Sequence, residues 1–207
     1  MDYYPYAAGS STLDLGQVDE RVKILITWSE SYPDVSRMLL SEIARNWGVS
    51  QLEAAKRIQP AGAVYFSISE EDMLKIIAHP KTMIGSDGLP HDPHPHPHPH
   101  PYPRLWGTFP RVIGRLARDQ KIFSLSTAIH KMTGLTTRNF HLSNRGFIKI
   151  GYAADLVLVD EDTANDTATF ENPKQLSIGI EKVFSEWGGI VQWWWLDEQT
   201  GRCFYSA

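Results

Sequence analysis

Residues 91–103 read HDPHPHPHPHPYP, and no other stretch restricts the fold of this 207-residue chain as strongly. Alternating proline removes every second backbone donor and pushes each preceding histidine toward extended conformations, so the tract should be polyproline-II-like and cannot be a central strand. It holds five of the eight histidines, which raises the question of a metal site. With three residues per turn, histidines two apart point in different directions. His94 and His100 share a face but stand about 19 Å apart at ~3.1 Å per residue, too far to chelate one ion. The tract therefore reads as an expanded spacer with at most loose surface affinity for zinc or nickel. A His-Pro-rich metal-binding or interaction protein stands as the competing reading of the whole chain.

On either side of the tract the chain has the composition of a globular domain. It is 42% apolar and 21% charged, with a net charge of −4. Without a basic cluster there is no electrostatic reason to expect nucleic acid or an anionic membrane as partner, and small molecules are the better expectation. No apolar run nears the ~20 residues of a membrane span. Cys203 is the single cysteine, so no internal disulfide forms. With no leader-like N-terminus, this suggests a cytoplasmic location. Tyr3-Tyr4-Pro5-Tyr6 is an aromatic cluster where a polar lead-in is usual, as if the chain opened inside a structure.

Between residues 22 and 85 apolar runs alternate with helical periods. Val22–Trp28, Ala61–Ile68 and Thr82–Gly85 read as strands. Ser36–Trp47 gathers Met38, Leu39, Ile43 and Trp47 on one helical face before Gly48. Ser50-Gln51-Leu52-Glu53 matches a capping box opening a helix that Pro60 closes, and Ser69 caps another. This alternation predicts a parallel α/β sheet or barrel, with chemistry at the C-terminal strand ends. Beyond the tract, Phe109–Arg118, Ser124–Thr133 and Thr136–Leu142 read as helices, the second ending at Gly134. Gly146–Ile150 and Ala154–Val159 read as strands of a separate small layer.

Two residues stand out as carriers of chemistry. Asp87 ends an apolar strand in Ile84-Gly85-Ser86-Asp87-Gly88, which suits a metal ligand or a general base, although Ser-Asp-Gly on its own is more often an ordinary structural turn. Arg104, in Pro103-Arg104-Leu105-Trp106, is either a fork for a substrate carboxylate or a surface arginine stacked on tryptophan. Tyr4 and Tyr6 line a pocket or belong to the core. A zinc site needs three or four fixed ligands, and outside the tract only His79, His130, His141 and Cys203 are available among histidines and cysteines. These read as structural.

Longer blocks carry a resemblance. Tyr4-Pro5-Tyr6-Ala7-Ala8-Gly9-Ser10, Gln59–Phe66, Met83-Ile84-Gly85-Ser86-Asp87-Gly88-Leu89-Pro90-His91-Asp92, Pro103–Val112, Lys131–Leu135 and Gly151–Val157 resemble, in order, the D-aminoacylases (N-acyl-D-amino-acid deacylases) of the amidohydrolase superfamily. The resemblance covers about residues 2–184. It implies a zinc-dependent (β/α) TIM-type barrel beside a small β-sandwich, acting on an N-acyl-D-amino acid. Zinc would polarise the acyl carbonyl and a water, and Asp87 would shuttle the proton and stand as a candidate metal ligand. Arg104, helped by Tyr4, would bind the substrate carboxylate.

By the same resemblance, residues 1–6 would end a barrel strand and 7–68 would form an insertion over the active-site mouth. Residues 69–145 would give the last barrel strand and its helices, with the His-Pro loop at 91–103, and 146–207 the sandwich strands and a divergent tail. The family's early His-x-His pair, its cysteine and its two further histidines precede the Y-P-Y motif, so the resemblance is to a C-terminal half. A partner chain supplying the N-terminal half of the barrel, or a role as a pseudoenzyme subunit, follows as an expectation. Departures are Tyr102 where the family has histidine, a longer loop between Asp87 and Arg104, and Trp193-Trp194-Trp195 in the tail, read as an interface patch or a non-native terminus.

Overall fold

A computed structural model describes residues 1–88 and 102–185, with the backbone of the strands at 189–191, 195–196 and 203–204. The His-Pro tract up to Pro101 and the side chains of the tryptophan-rich tail lie outside the described residues. Among those described, the chain divides into two compact units: Tyr6–Met73 with Tyr102, and residues 1–5, 74–88 and 103 onward.

The first unit is a three-stranded sheet of β2 (Gly9–Thr12), β3 (Ile24–Ser29) and β4 (Ala61–Tyr65) in the order β2-β4-β3. All five residues of β4 are buried, the burial expected of an uninterrupted Ala-Gly-Ala-Val-Tyr run in a middle strand covered on both faces. Its neighbours both run antiparallel to it, which corrects the parallel expectation for this stretch. The reason is a matter of parity. Between β3 and β4 the chain makes two helices, α1 (Leu40–Trp47) and α2 (Gln51–Arg57), and a helical pair returns the chain to the end of the sheet it left. A single crossover helix would have set the strands parallel. The core of this unit includes Ile24, Ile26, Leu40, Ile43 and Ile58, each 2% exposed or less.

Helix α1 starts four positions later than the periodicity of Ser36–Trp47 predicts. Arg37 has a left-handed φ of 69° and Leu39 is extended, bridging to Leu25, so Met38 and Leu39 are partly buried without being helical. Gly48, at φ 65°, ends the helix as expected. Ser50 Oγ accepts from Glu53 N at 3.2 Å and caps α2, while the Glu53 carboxylate pairs with Arg57 at 2.9 Å. Tyr6 belongs to this unit's core, 2% exposed and edge-on to Tyr102, so it is not a pocket residue.

Helix α3 (Glu70–Ala78), capped by Ser69 Oγ on Asp72 N, leads into the second unit. There β1 (Asp2–Tyr3) and β5 (Met83–Ile84) form the parallel pair of the described residues. Helix α4 (Pro103–Arg111) begins earlier than the expected Phe109, because Pro103 occupies the first helical position, where a missing N–H costs nothing. Pro110 lies inside it and cannot donate to the Trp106 carbonyl, which accepts instead from Ser177 Oγ at 3.2 Å. Past Pro110 the helix continues with wider π winding over Val112–Asp119. Gly114 in this segment meets the loop around Ala164 so closely that a Cβ would sit 2.0 Å from the Ala164 carbonyl oxygen.

Ser124 caps α5 (Leu125–Met132), and Gly134 opens α6 (Gly134–Asn139) where the sequence placed a helix end. Gly146–Ile150, read as a strand, is a set of turns: Gly146 and Gly151 flank it at φ 77° and 83°, and Ile148 and Ile150 are almost wholly exposed. A sheet then follows with β6 (Leu156–Val159), β7 (Ile180–Ser185) and β8 (Gly189–Val191) antiparallel in the order β6-β7-β8, and β9 (Trp195–Leu196) pairs with β10 (Cys203–Phe204). No helix among the described residues is long and apolar enough to cross a membrane.

Candidate active site

The parallel pair β1–β5 sets up the site. Met83 N donates to Met1 O at 3.0 Å and Gly85 N to Tyr3 O at 3.1 Å, so the two strands stay in register up to the point where each ends. Side chains just beyond the C-terminal ends of parallel strands converge, and here those are Tyr4 after β1 and Asp87 after β5. Ser86 Oγ accepts from Gly88 N at 3.2 Å, closing a tight turn that holds Asp87 at φ 47°. Asparagine and aspartate are the non-glycine residues that take this left-handed conformation most readily.

Arg104, in the first turn of α4, reaches the same place. Its Nη2 lies 2.8 Å from Asp87 Oδ2, and its guanidinium stands over the Tyr4 ring at 4.7 Å. The two partners differ in freedom: the Arg104 side chain is 12% exposed and that of Asp87 66%. Close packing fixes α4 against the turn, since a Cβ on Gly88 would stand 2.6 Å from Leu105 Cδ1 and 3.3 Å from Leu105 Cα. Burial holds the Tyr4 hydroxyl above its ordinary pKa against the opposing pull of Arg104, so Tyr4 is a neutral ring and hydrogen-bonding group at neutral pH. The structure thus brings together Tyr4, Asp87 and Arg104, three residues from three separate motifs.

Sequence reasoning passed over Lys131. It is 1% exposed, and its Nζ donates to His79 O at 2.5 Å and to Thr82 O at 3.0 Å, with the Phe123 ring 5.7 Å away. It ties α5 to the turn that delivers β5, and hence Asp87. Burial lowers its pKa. The available signal was its place three residues after buried Ala128, on the inward face of an amphipathic helix. The histidines read as structural include His79, whose Nδ1 accepts from Lys81 N at 3.2 Å.

Metal binding needs several converging donors. Among the described residues no group of three or more His, Cys, Asp or Glu side chains could hold an ion, and Asp87 already faces an arginine. These residues do not by themselves fit a zinc ion.

Residues 49–186 match the model of the amidohydrolase family. The chain is 48% identical over 186 residues to a D-aminoacylase of Alcaligenes xylosoxydans xylosoxydans, covering 89% of this chain and 37% of that protein. A solved D-aminoacylase superimposes with a TM-score of 0.83 at 46% identity, over 97% of this chain and 41% of the other. The N-acyl-D-glutamate deacylase of Bordetella bronchiseptica, solved with zinc and a phosphonate inhibitor that mimics the tetrahedral intermediate, gives 0.82 at 41% identity, over 92% and 39%. The chain therefore spans roughly two fifths of the length of the relatives it matches.

Proposed function

The chain belongs to the amidohydrolase family, and from that premise we propose that it is part of a zinc-dependent deacylase that hydrolyses the amide C–N bond of N-acyl-D-amino acids. The observation that carries this reading is the meeting of Arg104, Tyr4 and Asp87 at the ends of β1 and β5. A guanidinium held by an aromatic face is a fixed fork for a carboxylate. Arg104 takes the substrate's α-carboxylate there, and Tyr4 keeps its plane oriented. Asp87 accepts the proton that the attacking water loses and returns it to the amide nitrogen as the C–N bond breaks.

In this reading residues 1–6 and 69–145 contribute strands and helices of a TIM-type barrel, 7–68 an insertion over its mouth, and 146–207 strands of a β-sandwich. A relative is solved with zinc. Since the described residues do not make a zinc site, its ligands come from elsewhere, with Asp87 the one contribution considered from this chain. A chain carrying the remaining half of the barrel is the proposed partner, and the 207 residues alone are inactive.

Calorimetric titration with N-acetyl-D-alanine tests the site. Binding should be lost in Arg104→Gln, and undiminished binding to that variant would remove the carboxylate fork from the reading. Stoichiometric zinc and acetate release by the purified chain alone would overturn the incompleteness of its site.

A further inference from the structure

Arg104 is the second residue of α4, and the chain reaches it straight from the His-Pro tract. A proline-rich spacer is extended but has no internal bonds to mark its end, so some residue has to fix where the spacer stops and the helix begins. Tyr102 stands in that place. It is 3% exposed, its hydroxyl donates to the Ala8 carbonyl oxygen in a buried bond, and its ring meets Tyr6 edge-on with the centroids 6.0 Å apart. Ala8 and Tyr6 are core residues themselves, 0% and 2% exposed.

Resting on the reading of Arg104 as the carboxylate fork, we propose that Tyr102 is a positioning residue: it pins the chain two residues ahead of Arg104 and so keeps the guanidinium over Tyr4 whatever the length of the His-Pro tract. Stiffness carries the anchor that far. Pro103 is buried, its ring fixes φ at about −65°, and a residue before proline is confined to extended backbone, so the run Tyr102-Pro103-Arg104 has few ways to bend. The anchor and the ring it serves also lie on one short run, Tyr4-Pro5-Tyr6-Ala7-Ala8. A shift of Tyr102 is therefore passed on to Arg104, whose stack on Tyr4, now at 4.7 Å, fades beyond about 6 Å. Leu105 against Gly88 holds α4 on the side after Arg104, and Tyr102 holds it on the side before. The Tyr102 ring supplies burial, and its hydroxyl adds the directed bond that sets how the chain leaves the core.

Tyr102→Phe keeps the ring against Tyr6 and removes the donor. In proton spectra of the full chain the Tyr4 ring shifts the Arg104 Hδ resonances upfield, and Tyr4→Leu marks where they fall without it. Deleting His94-Pro95-His96-Pro97 from the otherwise unaltered chain should leave these resonances in place. In Tyr102→Phe they should move toward their Tyr4→Leu position, and the same deletion should move them further. Ser50→Ala removes the cap of α2 in the unit that holds Tyr102, so it should lower the urea midpoint and leave Arg104 where it is. Titrated with N-acetyl-D-alanine, Tyr102→Phe should bind about 3- to 10-fold more weakly, the loss of one buried hydrogen bond expressed as affinity, while the carboxamide N-acetyl-D-alaninamide should not distinguish the two chains. Unmoved resonances in Tyr102→Phe, an equal movement in Ser50→Ala, a tract deletion that shifts both chains alike, undiminished affinity for the acid, or an equal loss for the carboxamide would overturn the positioning and leave the carboxylate fork standing. Undiminished binding to Arg104→Gln, or no binding by the unaltered chain, would overturn the fork and the role of Tyr102 with it, wherever the resonances lie.

Discussion

Lys131→Met isolates the ammonium that holds the approach to β5. Methionine keeps the length and volume of the lysine stem and removes only the charged donor, so packing around the 1%-exposed side chain is conserved. Two carbonyls then lose a donor. That of Thr82 is buried, and leaving it unsatisfied costs ~1–3 kcal/mol. That of His79 is partly buried and can turn to water, so it adds less. The desolvation of the ammonium, seen in its lowered pKa, is relieved and subtracts.

The net expectation is about 1–2 kcal/mol, or roughly 5- to 30-fold more frequent local opening. The local readout is hydrogen exchange at the amides of Thr82, Met83 and Gly85, which bond to His79 O, Met1 O and Tyr3 O. Lys131→Ala also removes three buried methylenes at ~0.8 kcal/mol each and should open the same amides further, by about 2 kcal/mol more. Unchanged exchange in Lys131→Met would refute the assignment of the ammonium as the tie between α5 and β5. Identical exchange in the two variants would refute the contribution of the stem.

Two further outcomes follow from the same unit. Because burial puts the folded-state pKa of Lys131 below its ordinary 10.5, the unfolded chain binds the extra proton between those two values. Stability relative to Lys131→Met should therefore rise as pH climbs through that window toward 10.5, and urea midpoints of both chains that diverged the opposite way would contradict it. Gly114→Ala puts a methyl 2.0 Å from the Ala164 carbonyl oxygen, a contact that only backbone movement can relieve, and it strains the 2.9 Å bond from Arg118 Nη1 to that oxygen. The expected loss is about 2–3 kcal/mol in urea unfolding, and an unchanged midpoint would show that the loop yields freely.

Local signals were legible where one residue acts on its neighbours. Ser50 and Ser69 cap the helices they were read to cap, and Gly48 ends α1 through its left-handed backbone. Gly146–Ile150 failed for the complementary reason: its β-rich composition expresses a preference for a pleated neighbour, and the flanking glycines curl the segment into turns instead. Lys131 was illegible because a buried lysine is tolerable only where carbonyls from elsewhere converge on it, and His79 and Thr82 lie about fifty positions away.

The sequence by itself determined the helix starts that Ser50 and Ser69 cap, the buried run of β4, the family and the three residues worth watching. Only the tertiary structure decided that the sheet of 6–73 is antiparallel, that Pro110's missing bond is answered by Ser177, and that Asp87 and Arg104 face each other. The division follows from range. Capping, periodicity and turn preference act within a few residues of chain, whereas pairing direction and side-chain encounters depend on how many turns the intervening chain makes before it returns.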